Sequence, residues 1–350
     1  MNRRLKLTID VTKDPERDAL NIAKLAMEEW KDIADDDIHV RELAGGITNR
    51  LGFKDHHVLV RVYGSNTEVL IDRDEELRCI TELGKISLAP PIHAVFNNGF
   101  VYGYYEGETL DATCTALANG VHNKEIAERM AEWHSSKGIE GDKRPTIWDK
   151  LLKYLSLVPD EYSTQEKNEQ MKKANLSKAR ILEEIHFFKD RLEKDDLRVG
   201  FCHNDLLAGN VVYNPIDSEI SFNCESLLIN SENIYFIDYE YGAYNYNTFD
   251  IANHFCEWCG FELVYEQYPS KEKQYEFFKS YLKRLDGRDP SESELEKWYT
   301  DVQRMSLVCH FFWGIWALVQ AHISQLTFDY LPYGINRIQY AIHNRPRLFE

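Results

Sequence analysis

Apolar residues recur at helical spacing near the N-terminus, where Leu20, Ile22, Ala23, Leu25, Ala26 and Trp30 build one face, and residues 1–35 are expected to be helical. The period then shortens. Residues 40–43 and 57–63 are β-prone runs on either side of the turn Gly45-Gly46-Ile47-Thr48-Asn49. Residues 72–85 return to helical spacing, and Pro90-Pro91 stops them. Residues 92–96 and 100–105 flank Asn97-Asn98-Gly99, whose Asn-Gly step predicts an antiparallel hairpin. The first part of the chain therefore reads as a small β-rich lobe with one internal helix.

From about residue 110 the pattern is mainly helical. Residues 123–136 carry Ile126, Ala127, Met130, Ala131 and Trp133 on one face, and further helices are predicted over 150–157, 174–192, 272–285 and 292–323. The polar residues 159–173 are expected to form a mobile loop. Short apolar runs at 199–202, 211–213 and 234–237 read as strands. The polar residues 215–232 read as an excursion with a disordered tip. The most apolar stretch, 307–319, is too short to span a bilayer and contains His310, so a buried helix and no integral membrane contact are expected. The predicted class is α+β, divided into residues 1–107 and 108–350. No internal repeat stands out.

Composition adds limits. The 350 residues are 43% hydrophobic and 13% aromatic, enough for a sizeable core in two lobes. A formal net charge of −17 argues against nucleic acid or an anionic membrane as a general partner. The same field favours a cationic small substrate, although acidity that only keeps the chain soluble gives the same composition. The seven cysteines are odd in number and form no repeated C-x-x-C pattern, which argues against a disulfide framework or a zinc site. With no apolar signal-peptide core after Met1-Asn2-Arg3-Arg4, a cytoplasmic location is expected. The oligomeric state stays open, a homodimer included.

The candidate chemistry falls at the strand ends. Asp205, in His203-Asn204-Asp205, is followed five positions later by Asn210, and Asp238 closes the next strand in Ile237-Asp238-Tyr239-Glu240. Kinase-type phosphoryl transfer uses this spacing. Asp205 would orient the acceptor hydroxyl and take its proton, while Asn210 and Asp238 would hold Mg²⁺ against the phosphates of ATP, oxygen ligands being suited to a hard cation. Asp, Asn and His also gather in ordinary turns. The flanking strands favour the catalytic reading, because catalytic groups usually sit at such ends.

Gly45, Gly46, Thr48 and Asn49 can cover a phosphate, since glycine lets the backbone approach closely and the two polar residues add donors. An ordinary hairpin turn has the same pattern, and no Walker A lysine follows. Arg61 lies inside an apolar run and needs a partner. Glu76, one helix later, is the natural candidate, and such a pair positions nucleotide phosphates in kinases. Residues 102–107, Tyr104 and Glu106 among them, stand where a hinge would offer backbone groups to an adenine ring. Glu257, Trp313, Trp316, Tyr330 and Tyr333 form a last group. Trp313 and Trp316 share a helix face, aromatic rings attract cations, and Glu257 would complete an ammonium site. Aromatics at helical spacing are also an ordinary core pattern.

The segment His203-Asn204-Asp205-Leu206-Leu207-Ala208-Gly209-Asn210, with Ile237-Asp238-Tyr239-Glu240-Tyr241, resembles the signature of choline/ethanolamine kinases. The likeness continues through Tyr244-Asn245-Tyr246, residues 249–258 and 310–316, and Val319-Gln320-Ala321, and spans roughly residues 38 to 345. It implies a protein-kinase-like bilobal fold with ATP and Mg²⁺ between the lobes and phosphorylation of an amino alcohol. By the same resemblance, Asp205 is the base and Asn210 and Asp238 are the metal ligands. Residues 45–49 are the phosphate loop, Arg61 and Glu76 the positioning pair, and Glu257, Trp313, Trp316 and Tyr333 the ammonium pocket. Asp250 gains a supporting role.

Within that family, Gly46-Ile47-Thr48-Asn49 resembles the ethanolamine type, where choline kinases more often carry methionine or leucine followed by serine. Leu207 does too, since choline kinases usually carry glutamine there. The implied substrate is ethanolamine and the product phosphoethanolamine, a precursor of phosphatidylethanolamine. Choline, or both alcohols, is the alternative. A non-catalytic nucleotide-binding scaffold is the remote one, and the intact Asp205, Asn210 and Asp238 argue against it.

Overall fold

The computed structural model describes residues 3–43, 48–64, 67–110, 119–214 and 233–349. The chain divides into two compact units, Met1–Gly107 and Glu108–Glu350. In the first, β1 (Arg3–Arg4), α1 (Pro15–Ala26), β2 (His39–Glu42), β3 (Thr48–Phe53), β4 (His56–Val62), α2 (Arg73–Lys85), β5 (Ile92–Phe96) and β6 (Gly99–Gly103) follow in order. The strands make one sheet in the order β1-β5-β6-β4-β3-β2. β1 pairs parallel with β5 and every other pairing is antiparallel.

The helix expected over residues 1–35 is much shorter. Asp10 accepts hydrogen bonds from the Thr12 N–H and hydroxyl, which turns the chain. Leu5 donates to the Val95 carbonyl at 2.8 Å, which commits the N-terminus to the sheet. Helix α1 begins only where Asp14 caps the Arg17 N–H and Pro15 takes the first helical position. It buries Ala19, Leu20, Ile22 and Ala23, with Met27 and Trp30 just beyond, against Leu51, Val58, Val60, Phe96 and Val101 of the sheet. Each large side chain removed from water in this way contributes roughly 1.5–3 kcal/mol. Thr48 and Asn49 open β3 rather than sitting in a turn. Gly45 and Gly46 lie outside the described residues.

The second unit contains β7 (Glu108–Thr109), α3 (Asn123–Ser135), α4 (Ile147–Leu157), α5 (Gln165–Lys173), α6 (Lys178–Leu192), β8 (Val199–Cys202), β9 (Val211–Tyr213), β10 (Ile234–Phe236), β11 (Ala243–Tyr246), α7 (Asn247–Glu257), α8 (Lys271–Asp286), α9 (Glu292–Ile323) and α10 (Tyr330–Phe349). Its strands form a three-stranded sheet, β10-β9-β7, and the pair β11-β8. Where a loop is expected over 159–173, α5 stands. Thr164 caps it by accepting the Lys167 N–H, and no residue of it is buried, so it leaves no apolar pattern to read. The helix expected from 174 starts at Lys178, because Ser177 caps the Arg180 N–H. The excursion at 215–232 lies outside the described residues. One C-x-x-C spacing does occur, Cys256 and Cys259, and both are free, buried thiols.

Helix α9 is the core of this unit. From Met305 to Val319 every residue except Trp316 is buried. By length and composition it could cross a membrane, but 78% of its most apolar 18-residue window is buried within the protein. Helix α10 packs on it through glycines. A Cβ on Gly334 would stand 2.7 Å from the Gly314 carbonyl oxygen and 3.1 Å from the Ala317 Cβ. Backbone cannot yield there as a side chain would. A Gly334→Ala protein is expected to lose about 1–3 kcal/mol through overpacking. The midpoint of urea unfolding measures this, and an unchanged midpoint would mean that the two helices part freely.

Candidate active site

The loop after β8 carries Asp205, and it is held from behind. Strand β8 approaches α3 and α7 so closely that a Cβ on Gly200 would meet the His134 carbonyl oxygen at 2.5 Å and Asn247 Oδ1 at 2.7 Å. Beyond the strand, Asp250 of α7 accepts the His203 N–H at 2.8 Å and the Asn204 N–H at 2.7 Å. His134 of α3 donates to the same carboxylate from Nε2 at 2.9 Å, and its Nδ1 lies 2.7 Å from the Tyr281 hydroxyl. Burial alone would raise the Asp250 carboxyl. The hydrogen bond from His134 and the N–H groups of the loop outweigh it, and the group ends below its ordinary value.

Asn204 takes a left-handed backbone, φ 65°. Its amide donates to the Tyr241 carbonyl at 3.0 Å and accepts from Asn245 at 2.8 Å, which offsets the conformation. His203 is buried, and burial holds it below its ordinary value. The neutral ring donates from Nε2 to the Ile237 carbonyl at 2.9 Å and accepts the Asp205 N–H on Nδ1 at 3.3 Å. It thereby ties the loop to the strand end that bears Asp238, which also sits at φ 65°.

Asn210 completes the tie. Its Nδ2 donates to the Asp205 carbonyl at 2.8 Å, and its own carbonyl accepts the Ile237 N–H at 3.0 Å. Asp205, Asn210 and the chain entering Asp238 are thus joined by direct bonds. The Asp205 carboxyl is held well above its ordinary value by burial, then by the charges of Glu257, Asp238, Glu240 and Asp250. On the loop's other side, His254 donates from Nδ1 to the Leu206 carbonyl at 3.0 Å, and burial brings this histidine down to about 4.

Glu257, at the end of α7, is buried and accepts from Nη2 of Arg337 at 3.2 Å. Burial raises its carboxyl and the Arg337 charge opposes that. Its Oε2 accepts no hydrogen bond among the described residues. The rings form a continuous wall. Tyr241 meets Trp313 at 5.3 Å between centroids, Trp313 meets Trp316 at 5.5 Å, and Trp316 meets Tyr330 at 5.6 Å. Phe328 joins Tyr330 at 4.9 Å to Tyr333 at 5.5 Å, and the Arg337 guanidinium lies 5.0 Å from the Tyr333 centroid. Trp313 is fixed by a bond from Nε1 to Asn253 Oδ1 at 2.6 Å.

In the first unit, Arg61 of β4 meets the buried Glu76 of α2 at 3.5 Å. Glu76 has a second cation, Arg73, at 2.6 Å. Thr48 is the register partner of Arg61, and Asn49 is buried. The Tyr104 and Glu106 side chains form a cluster of their own. Arg50 lies 4.2 Å from the Tyr104 centroid and 3.5 Å from Glu106, and His57 bonds to Glu106.

Sequence reasoning passed over Arg337, Tyr241, Phe328, Asn253 and His134 as site residues. Arg337 had a signal. It stands in the helical stripe Leu331, Gly334, Ile338 and Ala341, all buried, so it too required a partner. His134 had none, since its partner Asp250 lies 116 positions away.

Comparison with known proteins gives the family of the chain. The family described as choline/ethanolamine kinase matches residues 40–342. The protein named probable ethanolamine kinase A of Dictyostelium discoideum is 37% identical over 351 residues, covering 97% of this chain and 95% of that protein. Ethanolamine kinase 2 of Mus musculus is 34% identical, covering 94% and 81%. Among solved structures, an ethanolamine kinase of Plasmodium vivax superposes with a TM-score of 0.76 at 24% identity over 93% of this chain and 88% of that one. A choline kinase of Cryptosporidium parvum gives 0.72 at 23% over 94% and 95%. The fold is therefore protein-kinase-like, with a sheet-rich unit and a helical one, and the chain belongs to the choline/ethanolamine kinase family.

Proposed function

We propose that the protein phosphorylates the hydroxyl of ethanolamine with ATP. One observation carries the reading: helix α7 holds the Asp205 loop through Asp250 and His254 and, three residues on, places Glu257 at the aromatic pocket. Ethanolamine has its hydroxyl and ammonium only two carbons apart. A base and an ammonium acceptor for it must therefore share one acidic patch, and these two do.

Asp205 accepts the hydroxyl proton and aligns the oxygen for attack. The ammonium lies against the faces of Trp313 and Trp316 and donates to Glu257 Oε2, while Arg337 holds Oε1 and fixes the carboxylate plane. A primary ammonium has three donors to place and a trimethylammonium has none. The open carboxylate oxygen thus favours ethanolamine over choline. Arg61 and Glu76 position nucleotide phosphates. Asn210 and Asp238 fit Mg²⁺, because Asn210 directs its Nδ2 to Asp205 and keeps its amide oxygen for a cation, and the neighbouring carboxylates are in charge excess. A bound Mg²⁺ would neutralise phosphate charge.

Catalytic efficiency with ethanolamine is expected to exceed that with choline by about tenfold or more, the effect of roughly 1.4 kcal/mol. Equal efficiencies would make the pocket one for both alcohols, and reversed efficiencies would assign it to choline. In parallel, Asp205→Ala should still bind MgATP while turnover falls by about 10²–10⁴-fold. Turnover near the parent's would remove Asp205 from the base role.

The raised Asp205 carboxyl also sets a pH dependence. Its protonated form cannot accept the hydroxyl proton, so kcat/KM, which reports the free enzyme, should fall as pH drops through a value above the ordinary carboxylate range. An acid limb at or below the ordinary aspartate value would contradict the environment described here. Asp250 has the opposite sign. Its folded value is depressed, so its stabilisation is present above the unfolded value and is lost as pH falls through the folded one. Asp250→Ala leaves two loop N–H groups and His134 without their acceptor and should cost about 3–5 kcal/mol. Thermal unfolding within about 0.5 kcal/mol of the parent, the usual range for a surface change, would show that the loop is held by other means.

A further inference from the structure

A cavity of about 450 Å³ in the first unit has no part in the reading above. Arg4 and Lys6, on and just past β1, line it together with Arg73, Tyr63, Asn97 and a single carboxylate, Asp74. Three cations against one acidic group stand out in a chain of net charge −17. Arg4 and Lys6 make no ion pair among the described residues. Arg73 is the fixed member. It bonds to Thr67 and to Glu76, and its guanidinium lies 4.6 Å from the Tyr63 centroid. The Tyr63 hydroxyl is buried and meets no hydrogen-bond partner among the described residues. A buried hydroxyl without a partner costs roughly 1–3 kcal/mol, so a ligand that accepts its proton is favoured. Burial pushes the phenol up to about 12, and it remains a donor at neutral pH.

We propose that this cavity binds a small phosphate-bearing anion, with Arg4, Lys6 and Arg73 supplying charge-assisted bonds and the Tyr63 hydroxyl one more. Phosphate has acceptors enough for all four, and guanidinium groups match its geometry. The volume exceeds that of phosphate itself, which leaves room for the organic part of a phosphate monoester against Leu77 and Val95. Through Arg73 the site is one ion pair from Glu76. The inference does not rest on the kinase reading, and its failure would leave that reading untouched.

Titration calorimetry with inorganic phosphate on the full chain tests it. The parent should bind in the millimolar range or tighter. The double variant Arg4→Gln with Lys6→Gln should lose about tenfold or more in affinity, and Tyr63→Phe about threefold to tenfold, the effect of charged and single hydrogen bonds. Both variants should turn over ethanolamine within about twofold of the parent in phosphate-free buffer, because Arg4 and Lys6 are exposed and Tyr63→Phe removes a hydroxyl that has no partner among the described residues. Phosphate affinity unchanged in both variants would place the anion elsewhere and overturn the site. So would a parent that takes up no phosphate.

Discussion

A single buried carboxylate, Asp250, sets the geometry on which the Asp205 loop depends. Helix α7 is buried on every side although it carries Asn247, Thr248, Asp250, Asn253, His254 and Glu257. Such a helix is tolerable only if its polar groups find partners. Asp250 does so by taking two consecutive loop N–H groups and one histidine. The loop therefore cannot relax without stripping a buried charge of its partners. That rigidity sustains the left-handed conformation at Asn204, just before the proposed base. The next residue is Asp205, so its direction follows from a constraint two residues upstream.

Behind that constraint lies an electrostatic imbalance. Beyond burial, the charges of Glu257, Asp238, Glu240 and Asp250 all raise the Asp205 carboxyl. Arg337 answers only Glu257, and from one side. Folding alone does not favour carboxylates crowded in this way, and local strain of this kind is typical of sites made for a ligand. Cationic ligands relieve it. The ammonium group and the divalent cation proposed above would each bring positive charge to this group of carboxylates. The net charge of −17 strengthens the approach of such ligands at low ionic strength, but the local arrangement decides where they stop.

How much of this could be read from residues alone follows the range of each interaction. The strands at Val199–Cys202 and Val211–Tyr213 and the helix Glu292–Ile323 are legible because local periodicity and cap residues specify them. The rule that an arginine in an apolar run needs a partner led from Arg61 to Glu76, and the two lie 3.5 Å apart. The same rule applied to α10 would have found Arg337. Helix α5 was hidden because it buries nothing, and the N-terminal helix was overextended because a strand pairing with residue 95 competes for its first residues. The His134–Asp250 contact was beyond reach, since no local pattern reports a partner 116 positions distant.

The aromatic wall shows why spacing alone could not separate a pocket from a core. Trp313 and Trp316 share one face of α9, but their neighbours differ. Trp313 is buried and bonded to Asn253, so its ring is a fixed surface. Trp316 is the one residue between Met305 and Val319 that keeps partial exposure. In a stretch otherwise buried from Met305 to Val319, that opening has no packing purpose. It leaves part of the Trp316 side chain to be covered by something else, beside a ring held still. A cation over an aromatic face is worth most when desolvated, and a half-open indole backed by a rigid one offers that condition without exposing the core.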